Sequence, residues 1–425
     1  MYIFAIWLFL LLIGTPVFVS LGLASAFYLL MNKMPLYIVA QRMFGALDSF
    51  ILLAVPFYIM AGEVMNVGGI TRRLFRFVES GLGFIPGALG HANVVANMIM
   101  SGMSGSAVAD IGGLGKVEIE AMTKSGYDLK FSAGLSAAAA IMGPIIPPSI
   151  PFVVYSAVTG ASLGALFAAG FLPGFMIGIA LMITVLIVSL KRHYPRKRWE
   201  GMASIMEMGW SFLDAAPALL APGIILGGIF SGLFTPTEGS VVASAYALIL
   251  SWWVYRDIRL GDIPRIALMT LKNTCVVFLI FCTSSLFSWI LTMERIPETM
   301  AQGLLSVSKD PLVVLMLING FLLIVGMFVE TLAAMIILVP FFFPAIVALG
   351  IHPVHFGLIV TLNLMIGILT PPFGTGLFML QEVGRMTFED ATRACLPFIF
   401  PLLVVLLLIT LFPEIVLYVP RVMGW

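Results

Sequence analysis

The chain has 425 residues, 61% of them hydrophobic and only 10% charged, with a formal net charge of +1 and a mean hydropathy of +1.10. A soluble domain carries about 25% charged residues, so this composition excludes a water-soluble globule and describes an integral membrane protein. The near-neutral charge selects no partner, and nothing in it calls for nucleic acid.

The predicted elements are helices. Apolar runs over 3–31, 50–65, 167–190, 276–291 and 397–416 are long and unalternating, as transmembrane helices are and barrel strands are not. The first, with Thr15-Pro16 at its middle, is predicted as one retained helix, because it lacks a preceding basic region and a clear cleavage site. Arg72, Arg73 and Arg76 then make a basic stripe on an interfacial helix. Two half-length segments meet at Ser104-Gly105-Ser106, a small-residue tip that predicts a re-entrant hairpin. Backbone of that kind is tolerated at membrane depth only where protein or a water-filled cavity satisfies it. The next span, 131–158, holds Pro144, Pro147, Pro148 and Pro151 and must break near its centre, since each proline removes a donor and clashes with the preceding turn.

The basic run 191–198 opens a linker predicted over 191–211, between a first half (1–190) and a second (212–425). The second half repeats the plan: spans at 213–230 and 236–254, a basic connection through Arg256, Arg259, Arg265 and Lys272, and a span at 276–291. A hairpin over 312–349 with its tip at 328–331 follows, then a broken helix over 356–380 and a last span. The repeat is numerical as well. Gly102, Gly143, Pro147-Pro148 and Leu172-Pro173 recur 224 residues later as Gly326, Gly367, Pro371-Pro372 and Leu396-Pro397. Five crossings separate the second span from its counterpart, an odd number, so the halves face opposite ways. The fold class is therefore an all-α inverted repeat with two re-entrant hairpins and two broken helices, the plan of secondary transporters whose site lies at the repeat interface. Counted this way, the Lys/Arg clusters share one face, which the positive-inside rule makes cytoplasmic.

Broken helices free carbonyls for Na⁺ and amides for anions. Residues 102–106 facing 143–148 form one oxygen-rich cage, with the Ser104 and Ser106 hydroxyls. Residues 326–331 facing 367–376 form the other, with the Thr370 and Thr375 hydroxyls. Small residues at one such spot equally serve close helix packing; two matched copies favour the cage. Asp110 and Glu330 adjoin the tips, and intramembrane carboxylates are functional by default. Ser149 and Thr375, beside the helix breaks, can hydrogen-bond a substrate carboxylate. Enzymatic signatures are missing. Gly113-Leu114-Gly115-Lys116-Val117 lacks both the leading glycine and the Ser/Thr of a phosphate loop, and no zinc-protease motif occurs. Cys275, Cys282 and Cys395 lie in apolar runs as packing residues, and the four histidines form no cluster.

The stretch from Gly102 to Asp110 (G-M-S-G-S-A-V-A-D), I-M-G-P-I-I-P-P-S-I-P, G-G-I-T-R-R-L and L-T-P-P-F-G-T-G-L-F together resemble the large membrane subunit of tripartite ATP-independent periplasmic (TRAP) transporters over essentially the whole chain. The resemblance implies a Na⁺-driven importer of organic acids in the bacterial inner membrane, moving its hairpins as an elevator against a scaffold. It implies two partners besides the bilayer: a small four-span membrane subunit and a soluble periplasmic binding protein. Carried onto this chain, the first sodium site falls on Ser104, Ser106, Gly143, Ile146 and Pro148. The second involves Gly326, Thr370, Thr375 and Gly376. Substrate contacts are expected at Ser106, Ser149, Glu330, Thr331 and Thr375. Sialic acid is the favoured substrate and a C4-dicarboxylate the alternative. A standalone organic-anion carrier, a channel and a membrane enzyme are the other readings, and the last has no catalytic constellation to support it.

Overall fold

The computed structural model describes residues 2–82, 84–194 and 202–425, and among them every regular element is helical. The chain opens with two helices, α1 (Tyr2–Leu12) and α2 (Val17–Met31), where one had been expected. Gly14 adopts a left-handed φ of 84°, the Thr15 hydroxyl turns back onto the Leu10 carbonyl at 2.7 Å, and Pro16 starts α2. The two pieces pack on each other, and Ile3 joins Leu21, Ala24 and Tyr28 in one buried cluster. A 29-residue apolar run would measure about 43 Å as one helix, against a hydrocarbon core of about 30 Å; folding at the proline removes that excess.

The amphipathic α3 (Tyr37–Leu47), α4 (Ala54–Val67, entered through a 3-10 turn at Phe50–Leu53) and α5 (Ile70–Leu82) follow. The first hairpin descends in α6 (Ala88–Ser104) and returns as α7 (Ala107–Gly112) and α8 (Leu114–Lys124), with α9 (Leu129–Ala140) and α10 (Ile150–Thr159) as the halves of the first broken helix. Next is α11 (Leu163–Arg192), the longest helix of the first half. Of the expected linker, Lys191 and Arg192 continue α11 and Met202 already belongs to a helix, while Pro195–Arg198 of the basic run lie outside the described residues.

The second half runs through α12 (Met202–Phe230), α13 (Pro236–Ile249, prolonged by a π turn to Val254), α14 (Ile263–Met293) and α15 (Ile296–Val307). Its hairpin is α16 (Pro311–Gly326) and α17 (Thr331–Ala348), its broken helix α18 (Pro353–Gly367) and α19 (Thr375–Gly384), and it closes with α20 (Phe388–Leu411) and α21 (Pro413–Val422). Arg265 and Lys272, expected in a connection, ride on α14. Among the described residues, six stretches are long and apolar enough to cross a bilayer.

Starts of these helices are written in side chains. Ser106, Asp128, Ser149, Ser162, Thr235, Glu330 and Thr387 each accept a first-turn backbone N–H, which satisfies donors that no preceding turn can reach.

Ion pairs fix the direction of the repeat. Asp128 and Lys130, at the start of α9, meet two partners: Arg192 at the end of α11 (3.5 Å) and Asp390 at the start of α20 (2.7 Å). So α11 runs against α9, whereas α20 runs with it. Helices α11 and α20 occupy equivalent places in the two halves, and they point opposite ways. The outer helices agree. Tyr58 of α4 donates to the Pro236 carbonyl at 2.9 Å and Thr237 to the Phe50 carbonyl at 3.3 Å, so α4 and α13 start together; Tyr28 at the end of α2 bonds Glu294 beyond the end of α14. The repeat is inverted.

Packing interlocks the halves. Helix α7 lies on α19 and α10 on α17, while α9 lies on α20 and α18 on α11. The approach is close where glycine allows it: a methyl group on Gly134 of α9 would sit 1.9 Å from the Ala394 carbonyl of α20. Outside this block, α4 packs on α13 and α2 on α14. Arg73 fastens α5 to both α12 and the end of α13, through Asp214 at 3.2 Å, Asp257, and the Tyr255 ring 3.9 Å below its guanidinium.

Candidate functional site: two cages on one cavity

A cavity of about 960 Å³ separates the helix pair α4/α14 from the interlocked hairpins. Its outer wall is one face of α14 (Arg265, Met269, Asn273, Val276, Val277, Ile280) with Ile59, Gly62, Glu63 and Asn66 of α4. Its inner wall holds both tips, with Ser104, Ser106, Glu330, Thr331 and Thr375 among the lining residues. From Arg265 to Ile280 the lined face extends about 22 Å at 1.5 Å per residue. Arg265 in the first turn of α14 and Lys116 of α8 both line the cavity and are exposed, so it is open at this end, which also carries the end of α4.

The first cage is built where the tip meets the break. Gly105 takes a left-handed φ of 65°, and the Pro148 carbonyl lies so near that a methyl group there would stand 2.8 Å from it. The Ile150 amide donates back to the Gly105 carbonyl at 3.4 Å. Ser104 is buried and donates to Asp110 Oδ2 at 2.7 Å. That same oxygen faces Gly143, where a methyl group would meet it at 2.6 Å. Asp110 is thus inside the cage, 1% exposed, and its Oδ1 has no hydrogen-bond partner among the described residues. A buried carboxylate without a cation is costly by several kcal/mol, and the Ser104 hydroxyl and the Gly143 backbone adjoin it: a hard cation fits a donor set of oxygens. Of the expected first-site residues, Ser104, Gly143 and Pro148 come together here. Ser106 caps α7 through Ala109 N–H (3.4 Å), and the Ile146 side chain packs onto Gly174 of α11.

Behind this cage stands a polar cluster that motif reasoning missed. Asn97 donates to Glu118 Oε1 at 2.8 Å, Asn93 donates to Ser136 at 2.6 Å, and all four side chains are buried. It ties both arms of the hairpin to α9. The signal was the Asn93/Asn97 spacing, two amides one turn apart in a helix with no exposed face.

The second cage uses backbone almost exclusively. Gly367 and Gly326 touch so closely that a methyl on Gly367 would lie 2.6 Å from the Gly326 backbone. The Ile368 and Thr370 carbonyls converge on Gly374, where a methyl would meet them at 2.5 and 2.8 Å, and Gly376 N–H donates to Ile368 O at 3.0 Å. The Thr370 hydroxyl donates to Ile366 O at 2.8 Å, leaving its lone pairs free. Phe373 N–H donates to Met327 O at 3.1 Å, joining tip to break as the Ile150–Gly105 bond does but in a different register. Glu330 caps α17, accepting from Leu332 (3.0 Å) and Ala333 (3.1 Å). Thr331, 2% exposed, has a hydroxyl without a partner among the described residues.

Four of the five expected substrate contacts (Ser106, Glu330, Thr331 and Thr375) line the cavity. Ser149 does not: it is buried, donating to Pro144 O at 2.5 Å and accepting from Phe152 N–H at 3.2 Å. Among the described residues no His/Cys/Asp/Glu group has the arrangement of a transition-metal site.

Inverted halves, re-entrant tips and a cavity bounded by two broken helices define the membrane permease of a secondary transporter. The fold is shared with the Alcanivorax borkumensis YdaH transporter (TM-score 0.64, 13% identity, 88% of this chain and 86% of that one). The family model described as "Tripartite ATP-independent periplasmic transporter, DctM component" matches residues 4–415, and the chain belongs to that family. It is 46% identical to the sialic acid TRAP transporter large permease protein SiaM of Vibrio cholerae, over 98% of this chain and 97% of that protein. It is 42% identical to the sialic acid TRAP transporter permease protein SiaT of Haemophilus influenzae, over 98% of this chain and 68% of that longer one. The protein is a multi-pass bacterial inner-membrane TRAP permease.

Proposed function

We propose that the chain is the large permease subunit of a Na⁺-coupled importer of sialic acid, without enzymatic activity of its own. The observation that carries this reading is the pair of symmetry-related oxygen cages on one cavity, with Asp110 buried in the first and no cation of the described residues paired with it. Na⁺ is held at Ser104, Gly143, Pro148 and Asp110, with Ser106 and the Ile146 backbone completing the shell; a second Na⁺ is held by the backbone at Gly326 and Gly376 with Thr370 and Thr375. The substrate carboxylate sits between the tips, against Ser106, Thr331 and Thr375. Glu330 shapes that floor by holding the first turn of α17.

Transport is an elevator movement: the interlocked hairpins and broken helices of both halves (1–190 and 212–425) travel past the α4/α14 wall, carrying both cages. Glycines suit such a sliding contact. A methyl on Gly62 would rest 3.7 Å from the Ser104 backbone, and one on Gly113 would strike the Asn66 amide at 2.7 Å. A periplasmic binding protein delivers the substrate, and a small four-span subunit braces the wall; the extra length of the Haemophilus relative gives room for such a subunit within one chain. The mouth beside Arg265 opens to the cytoplasm, where the Lys/Arg excess lies.

The test is uptake of radiolabelled sialic acid into proteoliposomes holding this subunit, its small partner and the loaded binding protein, with and without an inward Na⁺ gradient. Uptake that needs both Na⁺ and the binding protein is expected. Uptake of a C4-dicarboxylate in place of sialic acid reassigns the substrate, and uptake without Na⁺ or binding protein overturns the mechanism.

A further inference from the structure

The cavity holds two cations that neither cage uses. Arg265 stands on the α14 wall, and Lys116 on α8 belongs to the hairpin facing it across the opening. Neither makes an ion pair among the described residues, although carboxylates are near in sequence. Glu120, one turn from Lys116, is bonded to Lys124 at 2.7 Å and is only attracted at longer range by Lys116, and Asp262, before Arg265, is spent on the Arg259 N–H at 2.9 Å. Deeper along the same wall, Glu63 accepts from Asn273 at 2.9 Å. Passing outward from the tips, a carboxylate therefore meets a like charge at Glu63 and then two unpaired opposite charges at the mouth. A low-dielectric cleft focuses such a field, and a guanidinium presents a fork that fits a carboxylate.

We infer that Lys116 and Arg265, one from each wall, form a second carboxylate-binding station for the transported organic acid at the mouth of the cavity. This rests on the importer reading above. Because one cation belongs to the moving block and the other to the wall, the station exists only while this mouth is open; movement of the block takes the pair apart. It holds the acid after the cages release it and lowers its return to them. Lys116 and Arg265 are positioning residues for release.

The test is equilibrium binding of radiolabelled sialic acid to the purified complex with its small subunit, in nanodiscs of zwitterionic lipid, at saturating Na⁺ and without binding protein. The double substitution Lys116→Gln/Arg265→Gln is expected to raise Kd about tenfold, a charge-assisted hydrogen bond being worth roughly that much or more. Lys116→Arg/Arg265→Lys is expected to restore most of it. The Arg72→Gln/Arg76→Gln pair, which removes the same charge from α5 away from the cavity lining, is expected to bind as wild type. Should the double variant fail to assemble, the two single variants answer the same question, each with a smaller rise. Wild-type affinity in the neutralised variants overturns the inference. So does a difference seen only in nanodiscs containing phosphatidylglycerol, which assigns the pair to lipid phosphate. If the wild-type complex binds neither sialic acid nor succinate, the importer reading falls first and takes the station with it.

Discussion

The two hairpins occupy equivalent places and solve the same problem with different chemistry. Ser106 and Glu330, at matching positions, both cap the returning arm. One turn further, the first hairpin has Asp110 pointing into its cage, where the second has only Ala334. At the positions of Ser104 and Ser149 the second half has Phe328 and Phe373, half exposed, with ring centroids 5.9 Å apart. The first cage is thus lined by side-chain oxygen with a carboxylate at its heart; the second is a set of converging carbonyls held by glycine contact. Symmetry preserved the backbone break, which leaves carbonyls free at either tip. The side chains around it were free to diverge.

The largest expected effect separates the two carboxylates. Asp110→Asn is expected to lower Na⁺-driven uptake by roughly a hundredfold or more, since losing even a group that supports a metal ligand costs about 10- to 100-fold. Glu330→Gln keeps an oxygen for the Leu332 and Ala333 amides and is expected to leave most of the uptake. Equal losses in the two variants would erase the distinction between the cages.

A second comparison uses methyl groups. Gly367→Ala forces a carbon to within 2.6 Å of the Gly326 backbone, which cannot swing away, so both the melting temperature and uptake are expected to drop. Gly143→Ala meets the Asp110 side chain at the same distance, and its nearest backbone atom, the Ala140 carbonyl, only at 3.2 Å. There the half-saturating Na⁺ concentration is expected to rise with little loss of thermal stability. Purified variants titrated with Na⁺ in a thermal-shift assay decide it.

The buried amides give the next largest effect. Asn93→Ala leaves Ser136 without its donor, and Asn363→Ala removes the 2.9 Å bond to Asn319 that crosslinks α16 and α18. Each is expected to destabilise by about 1–3 kcal/mol, the range for orphaning a buried polar partner. Only the first adjoins the hairpin that buries Asp110 and Glu118, so uptake at equal folded protein is expected to fall more for Asn93→Ala. The smallest effect belongs to Lys130→Ala. Its pair with Asp390 is exposed at 49% and 36%, and such pairs contribute at most about 1 kcal/mol; a barely shifted melting temperature is expected. A large shift would mean that this ion pair holds α9 and α20 together, in place of the Gly134 contact.

Much of this architecture was legible before any coordinates. Glycines and prolines recurring 224 residues apart located both hairpins and both breaks within a few residues, because those residue types are needed wherever backbone leaves a helix inside a membrane. The first helix was not legible: an apolar run with a central proline is read as one long span, and the turn at Gly14–Pro16 with α1 packed back on α2 makes it two. Ser149 looked like a cavity hydroxyl from its place beside the prolines, yet it is consumed in capping α10. Asp110 was visible as a carboxylate near a tip, but whether a side chain one turn into a helix points to water or to Gly143 depends on a contact between segments 33 residues apart.

By itself, then, the sequence determined that the chain lives in a bilayer, that it is made of two related halves, and where the backbone must break. Those follow from local physics: hydropathy, proline sterics and the unsatisfied groups of helix ends. Tertiary structure alone decided which oxygens share a cage and that Lys116 and Arg265 face one cavity. Such facts are set by which helix faces meet across hundreds of residues, a property of the packed whole that no single stretch encodes.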